Sequence, residues 1–488
     1  MKPKNIFNTI HLLSVTFLLF PVNSFSQFCY GKNIPSDTVS YSIAHADFNK
    51  DGFEDLASVN MGTHVSIFLG DGHGNFANPV KYDIGAMAMG MSVIARDFNN
   101  DGKLDLAVAD MMNMTIAVVL GNGNGTFGTP SSFPVAPTPY MLVSADFNND
   151  GKFDIATANA GSDNVSVLLG NGNGSFADSI NFRVGPNPTS IASADFNNDG
   201  SPDLVVANST TNYMSILLGN GNGSFADTTN LRVGSSFPQS VICVDMNADG
   251  NVDLISANTG SDNNVSVLLS NGNGSFAAAT NFQITPSGYV QTYTQAVTAA
   301  DFNGDGKMDL AAANNGTNDV SILLNNGAGS FITVAGFTAG VSPYAIISAD
   351  FDKDGAKDIA VANSNSNDIS LLLNCPAGRI DTIIKIDTVF AIDTITNVTL
   401  INRSNNAMVI NVYPNPSDGK FQIVINNLDL TENCELAIYN IQGEKVFYST
   451  SKHLNNSVIN ITDNPAGIYV LQLKSEKELV MKKIVFRK

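Results

Sequence analysis

The chain has no tryptophan, only four cysteines and five histidines, and charges at just 14% of its 488 positions. Each scarcity closes off a class of function. Without tryptophan, the broadest platform for stacking a sugar is missing. Five histidines, one of them His11 in an apolar N-terminal segment, are too few for a histidine-rich metal centre. Only 25 Lys and Arg stand against 44 Asp and Glu, net −19, so nucleic acid and anionic membranes lack the basic face they require. Neither Gly-x-Ser-x-Gly nor His-Glu-x-x-His occurs, which removes two common hydrolase signatures. The apolar run from Leu12 to Val22 is about half the roughly 20 residues that cross hydrocarbon.

What is present is apolar and rich in turns. Hydrophobic residues make up 43% of the chain, too many for an acidic disordered protein, and the length allows two to four domains. The acidity is local: from Gln27 to Ala377 there are 33 acidic and 11 basic side chains, whereas Gly378 to Lys488 has 11 against 12. Lys2 and Lys4 before the apolar run, and Ser24 and Ser26 after it, read as a secretory signal over residues 1–26, cut ahead of Gln27. Cys29 is not preceded by a lipoprotein-type box.

A nonapeptide, Asp-Phe-Asn-x-Asp-Gly-x-x-Asp, starts at Asp47, Asp97, Asp146 and Asp195, with relatives at Asp245, Asp301 and Asp350. Between copies come short runs of Val, Ile and Leu separated by Asn, Gly and Asp, the pattern of strands and hairpin turns. Four strands per repeat and seven repeats predict an all-β, seven-bladed β-propeller of four-stranded blades. The seventh repeat stops after Asn374 and lacks its glycine-rich turn and fourth strand. Phe28 precedes Asp47 by the same 19 residues that separate Phe176 from Asp195. The N-terminal strand is therefore expected to complete the last blade and close the ring. Aligned on the third repeat, Cys29 and Cys375 fall on opposite arms of one hairpin and are expected to form a disulfide, two free thiols being the alternative. Cys243 and Cys434 are expected to be free and buried.

In each nonapeptide, side-chain oxygens fall at positions 1, 3, 5 and 9, a backbone carbonyl at position 7 can add another, and Gly at position 6 permits the bend that gathers them. Hard oxygen donors at this spacing suit Ca²⁺, which takes six to eight. The candidate ligands are Asp47, Asn49, Asp51 and Asp55; Asp97, Asn99, Asp101 and Asp105; Asp146, Asn148, Asp150 and Asp154; Asp195, Asn197, Asp199 and Asp203; Asp245, Asn247, Asp249 and Asp253; Asp301, Asn303, Asp305 and Asp309; and Asp350, Asp352, Asp354 and Asp358. Up to seven Ca²⁺, one per blade, are expected. An Asx-rich turn without metal is the alternative, weakened because three unneutralised carboxylates per loop would repel. Position 12 is never Glu and strands flank the loop, so this is not an EF-hand.

The acidic loop, joined to Leu-Gly-Asn-Gly-x-Gly-x-Phe, resembles the FG-GAP or VCBS repeats of integrin α propellers and of secreted bacterial proteins, over roughly Gln27 to Ala377. That resemblance implies a propeller with calcium loops on one face and partners on the other. The partner face would then hold Met87, Met89, Met111, Met112 and Met114, and also Tyr289 and Tyr293, as an adaptable binding surface; packing inside the ring is the alternative. Asp381-Thr382-Ile383, Asp387-Thr388-Val389 and Asp393-Thr394-Ile395 mark a linker over 378–408 and resemble O-glycosylation sites of Bacteroidota, an edge strand being the alternative.

Short alternating runs over 409–488 predict a small antiparallel β-sandwich. Val412-Tyr413-Pro414-Asn415-Pro416, Gly443, Pro465-Ala466-Gly467-Ile468-Tyr469 and the Lys-rich last strand resemble the type IX secretion C-terminal sorting domain of Bacteroidota. This implies export to the surface or beyond and contact with that secretion machinery. The function expected is a secreted or surface-held, monomeric calcium-binding module that captures an extracellular protein or glycan. An exported polysaccharide lyase or hydrolase is the alternative, and His64 with Arg96 or a tyrosine would be its best acid and base.

Overall fold

The computed structural model describes residues 27–36, 39–234, 237–260, 264–284 and 293–375, together with seven C-terminal strands between 409 and 486. The chain divides into two compact units, Met1–Asp381 and Thr382–Lys488. The expected signal over 1–26, the linker over 378–408 and Tyr289 lie outside the described residues. Among the described residues there is no helix, and so none long and apolar enough to cross a membrane.

The first unit consists of repeated four-stranded antiparallel sheets of propeller type. Six follow one another, over 40–83, 90–134, 139–183, 188–232, 237–283 and 294–338. A further sheet takes Pro343–Ala349, Asp358–Asn363 and Asp368–Cys375, and its fourth strand is Gln27–Pro35, with Phe28 opposite Asn374. The second strand of every sheet is buried along its first six residues. Both of its faces are covered, which is why the middle of each strand is mostly apolar with only small polar residues such as Ser58, Thr157 and Ser256, rather than alternating. Fourth strands such as Ile180–Arg183 lie at an open edge and are mostly exposed.

Neighbouring sheets enclose apolar clusters. Val59 and Ile67 of the first meet Leu106 and Val119 of the second, and Ile43, Leu56 and Phe68 of the first meet Ala349, Phe351 and Ile369 of the last. In five of the seven acidic loops the phenylalanine at position 2 packs edge-on against the phenylalanine that ends the next sheet's glycine-rich turn; the fifth loop has Met246 there. Centroids lie at 5.6 Å for Phe48 and Phe127, 5.7 Å for Phe147 and Phe225, and 5.9 Å for Phe351 and Phe76. Phe28 fills this place for the last sheet, 6.0 Å from Phe302. Each edge-to-face pair contributes about 0.5–1.5 kcal/mol beyond its burial. Alongside them, the N–H groups of Gly125, Gly174, Gly223 and Gly274 donate to the carbonyls of Phe48, Phe98, Phe147 and Phe196, and Gly74 donates to Phe351. The amides of Asn325 and Asn374 donate in the same way to the carbonyls of Met246 and Phe302.

Every first strand carries a register shift at its second residue, or in the fifth sheet its third, a bulge of the kind that re-aims a side chain. Among the bulged residues, Tyr140 and Tyr344 hydrogen-bond through their hydroxyls although 204 residues apart, and Tyr41 packs edge-on against Tyr344 at 5.2 Å. Desolvation raises the pKa of both Tyr140 and Tyr344.

The second unit contains two antiparallel sheets. One has Val409–Tyr413, Lys420–Asn426 and Val458–Asn460; the other has Lys445–Ser451, Cys434–Asn440, Gly467–Lys474 and Leu479–Phe486. Leu436, Ile438 and Leu471 are fully buried.

Cys375 is disulfide-bonded; the side chains of Cys29 and Cys434 lie outside the described residues. Cys243 is free, as expected, but half-buried rather than buried, and desolvation still pushes its thiol pKa well up.

Candidate metal centres

The acidic loops join the first and second strands of each sheet, and all seven are wired alike. The position 1 carboxylate accepts the N–H groups of positions 5 and 6; in the first loop, Asp47 takes Asp51 at 3.1 Å and Gly52 at 2.8 Å. The position 3 oxygen accepts the position 5 N–H, as Asn49 does at 3.0 Å and Asp352 at 3.1 Å. The position 5 carboxylate accepts the position 7 N–H, as Asp51 does from Phe53 at 2.8 Å. The same bonds recur in the loops starting at Asp97, Asp146, Asp195, Asp245, Asp301 and Asp350.

Gly52 at position 6 has φ 82°, the left-handed backbone anticipated for the bend. A second left-handed residue, not anticipated, sits at position 4: Lys50, Asn100, Asn149, Asn198, Ala248, Gly304 and Lys353 all have φ between 55° and 73°. Asparagine tolerates that conformation well, so its presence in three copies was a signal in the sequence that could have been read.

Position 9 plays a different part from the other three. Asp55, Asp105, Asp154, Asp203, Asp253, Asp309 and Asp358 are fully buried. One oxygen of each accepts the position 2 N–H. The other reaches about fifteen residues on, to the end of the sheet's third strand, as Asp203 does to Phe196 at 2.8 Å and Gly219 at 2.6 Å. All seven repeat this. In the first four sheets that distant position is Gly, and a Cβ on Gly121 would lie 2.0 Å from the Leu104 carbonyl; in the other three it is Ser270, Asn325 and Asn374.

The electrostatics of the loops follow from this burial. Desolvation pushes Asp55, Asp105, Asp154, Asp203 and Asp309 up to about 6 and Asp358 to about 7. Two backbone N–H groups pull the other way, and the neighbouring carboxylates of the same loop add to the rise. Asp253 is raised for the same reasons. By contrast, the ammonium groups of Lys103 and Lys152, 2.9 and 3.0 Å away, hold Asp101 and Asp150 below the usual carboxylate range. In the last loop, oxygens of Asp350, Asp352 and Asp358 lie within 4.8 Å of one another.

His64 and Arg96, one of the acid and base pairs envisaged for an enzyme, are not brought together. His64 begins a third strand opposite Asp83, at the sheet end away from the acidic loop. Arg96 ends the next sheet's first strand opposite Asp105, beside its loop, and lies 5.4 Å over the ring of Phe153. The imidazole of His45 is engaged by Glu54 at 2.9 Å, a contact that lowers the Glu54 pKa. On the other side of the sheets, Met87, Met112, Met114 and Tyr293 are exposed, so these members of the anticipated surface do not pack inside.

Comparison with known families and structures bears on all of this. Residues 47–108, 97–157, 146–206, 195–256, 245–312 and 301–361 match the FG-GAP-like repeat, and residues 411–487 match the secretion system C-terminal sorting domain. No curated protein matches the chain. Among solved structures, the chain is similar to BBS1N in complex with ARL6DN. The mercury-soaked crystal gives 13% identity and a TM-score of 0.51 over 72% of this chain and 98% of that one. The lead-soaked crystal gives 13% and 0.50 over 72% and 97%. The periplasmic gluconolactonase PpgL of Pseudomonas aeruginosa gives 15% and 0.46 over 63% and 86%. At such identities the likeness is one of fold alone.

Proposed function

The chain belongs to the FG-GAP-like repeat family and is exported by type IX secretion to the cell surface or beyond, and from that premise we propose that it is a calcium-holding, seven-bladed propeller that captures an extracellular protein or glycan. Residues 1–26 are its signal, 27–377 the propeller, 378–408 a linker and 409–488 the sorting domain that engages the secretion machinery. Closure of the ring is supported by the hydrogen bond from Gly74 to Phe351 and by the apolar cluster shared between the first and last sheets.

The observation that carries the calcium reading is the sevenfold recurrence of one loop geometry in which carboxylates crowd without enough cations. The residues fit a hard divalent ion: Asp350, Asp352 and Asp358 already converge, and each carboxylate oxygen that accepts one N–H keeps capacity for another partner. Positions 1, 3, 5 and 9 of each loop would hold Ca²⁺, which would supply charge neutralisation rather than chemistry. Metal analysis of the dialysed protein should count up to seven Ca²⁺ per chain. Glycan arrays and protein pull-downs should find a ligand, whereas release of an ultraviolet-absorbing unsaturated sugar would overturn the binding reading in favour of a lyase.

The partner of Cys375 we take to be Cys29, because the register places Gln27 opposite Cys375 and Phe28 opposite Asn374. A non-reduced peptide map should join the two, and reduction should lower the melting temperature by loosening the strand that completes the last sheet. A map joining Cys375 to Cys434 would refute the assignment.

A further inference from the structure

One sheet departs from the repeat on the side away from the acidic loops. In the third, fourth, fifth, sixth and seventh sheets, the connection between second and third strands uses only small or polar residues, such as Ala160-Gly161-Ser162-Asp163 and Asn315-Gly316-Thr317-Asn318. In the second sheet it is Met111-Met112-Asn113-Met114, and the connection leading into that sheet carries Met87 and Met89. Met87 is 78% exposed, Met112 56% and Met114 47%.

Two of these methionines are held at a cost. Met87 and Met114 have φ 57° and 54°, a left-handed backbone that side chains other than Asn, Asp and Gly rarely adopt. At Met114's place the third, sixth and seventh sheets have Asp163, Asn318 and Asn367, also left-handed. A long thioether stands where the backbone asks for asparagine.

The two connections are clamped together by a further departure. Asp110, 1% exposed, occupies the position filled by Asn60, Asn159, Asn208, Asn258, Asn314 and Asn363 elsewhere. Its carboxylate accepts the N–H groups of Met89 at 3.0 Å and Met112 at 3.2 Å and the Asn113 amide at 2.6 Å. That amide also donates to the Ala86 carbonyl at 3.0 Å, and the Met111 N–H donates to the Met89 carbonyl at 3.0 Å. A buried carboxylate thus ties together the two connections that carry the exposed methionines. The large exposed apolar side chains of these two connections are all methionine.

We propose that Met87, Met112 and Met114 form a site for a soft monovalent cation, Cu(I) or its surrogate Ag(I). Thioether sulfur is a neutral, soft donor that selects Cu(I) over the hard ions suited to carboxylates. Its flexible stem lets three or four such groups converge on one ion. The site is independent of the calcium reading, because it shares no residue with the acidic loops.

The test uses the full exported chain, with thiols blocked by alkylation and calcium in excess. Cu(I) is titrated anaerobically against a chromogenic chelator, and Ag(I) by calorimetry. The wild type should take up one equivalent of either ion. Met87→Leu/Met112→Leu/Met114→Leu, which keeps volume and apolarity, should lose at least tenfold in affinity at an unchanged melting temperature. Met114→Asn alone, restoring the residue of the sixth and seventh sheets, should weaken uptake while raising the melting temperature. No uptake by the wild type, or equal uptake by the triple variant, overturns the proposal. So does an apolar partner that both proteins capture while neither takes up Cu(I).

Discussion

Removing calcium should lower the melting temperature of the exported protein by about 6–17 °C. A ligand bound only by the folded state stabilises it by RT ln(1 + [L]/Kd). With Kd in the range of about 10⁻⁴–10⁻³ M usual for extracellular modules, about 2 mM calcium contributes roughly 0.6–1.8 kcal/mol per site. Seven sites then contribute roughly 5–12 kcal/mol, against an unfolding entropy of about 0.7 kcal/mol/K for a domain of this size. The effect should spread across sheets, because the carbonyl of position 2 in five loops accepts an N–H of the next sheet's turn, as Phe48 accepts Gly125, and in the other two accepts the amide of Asn325 or Asn374. Calorimetry in chelator and in calcium, with magnesium as the control, measures it. An unchanged melting temperature in chelator would leave the acidic loops without their proposed role.

The second large effect separates scaffold from ligand within one loop. Asp203→Ala removes a buried carboxylate and strands the N–H groups of Phe196 and Gly219, at about 1–3 kcal/mol for each buried donor left unmade. A loss of about 3–5 kcal/mol is expected even in chelator. Asp199→Ala touches an exposed side chain whose bonds from Ser201 and Asn197 water can replace, so in chelator it should leave the urea midpoint nearly unchanged. In calcium, both variants should lose one site's contribution. Urea midpoints under both conditions read the difference, and equal losses in chelator would show that position 9 is not the staple described.

Much of this was legible locally. The Asx and Gly spacing of the nonapeptide set the loop backbone, and Phe28 could be placed because it precedes Asp47 by the same 19 residues that separate Phe127, Phe176 and Phe331 from the acidic loops that follow them. Other features depend on residues that only packing brings close. Tyr140 and Tyr344 meet across 204 residues because bulges turn them out of their strands. His64 and Arg96 look near in sequence, yet antiparallel reversal carries them to opposite ends of their sheets. Asp110 looked like one more acidic side chain until its bonds to Met89, Met112 and Asn113 were placed.

The sequence by itself determined the repeat, the strands and the seven oxygen-rich loops, because each is written in short-range chemistry: alternation, turn residues and ligand spacing. Only the tertiary structure decided that position 9 staples its loop to a strand end some fifteen residues on. It alone showed that each turn is bonded to the preceding sheet's loop, and that one sheet raises methionines over a buried carboxylate. Those arrangements depend on how sheets stack, and stacking places side by side residues that no local pattern relates.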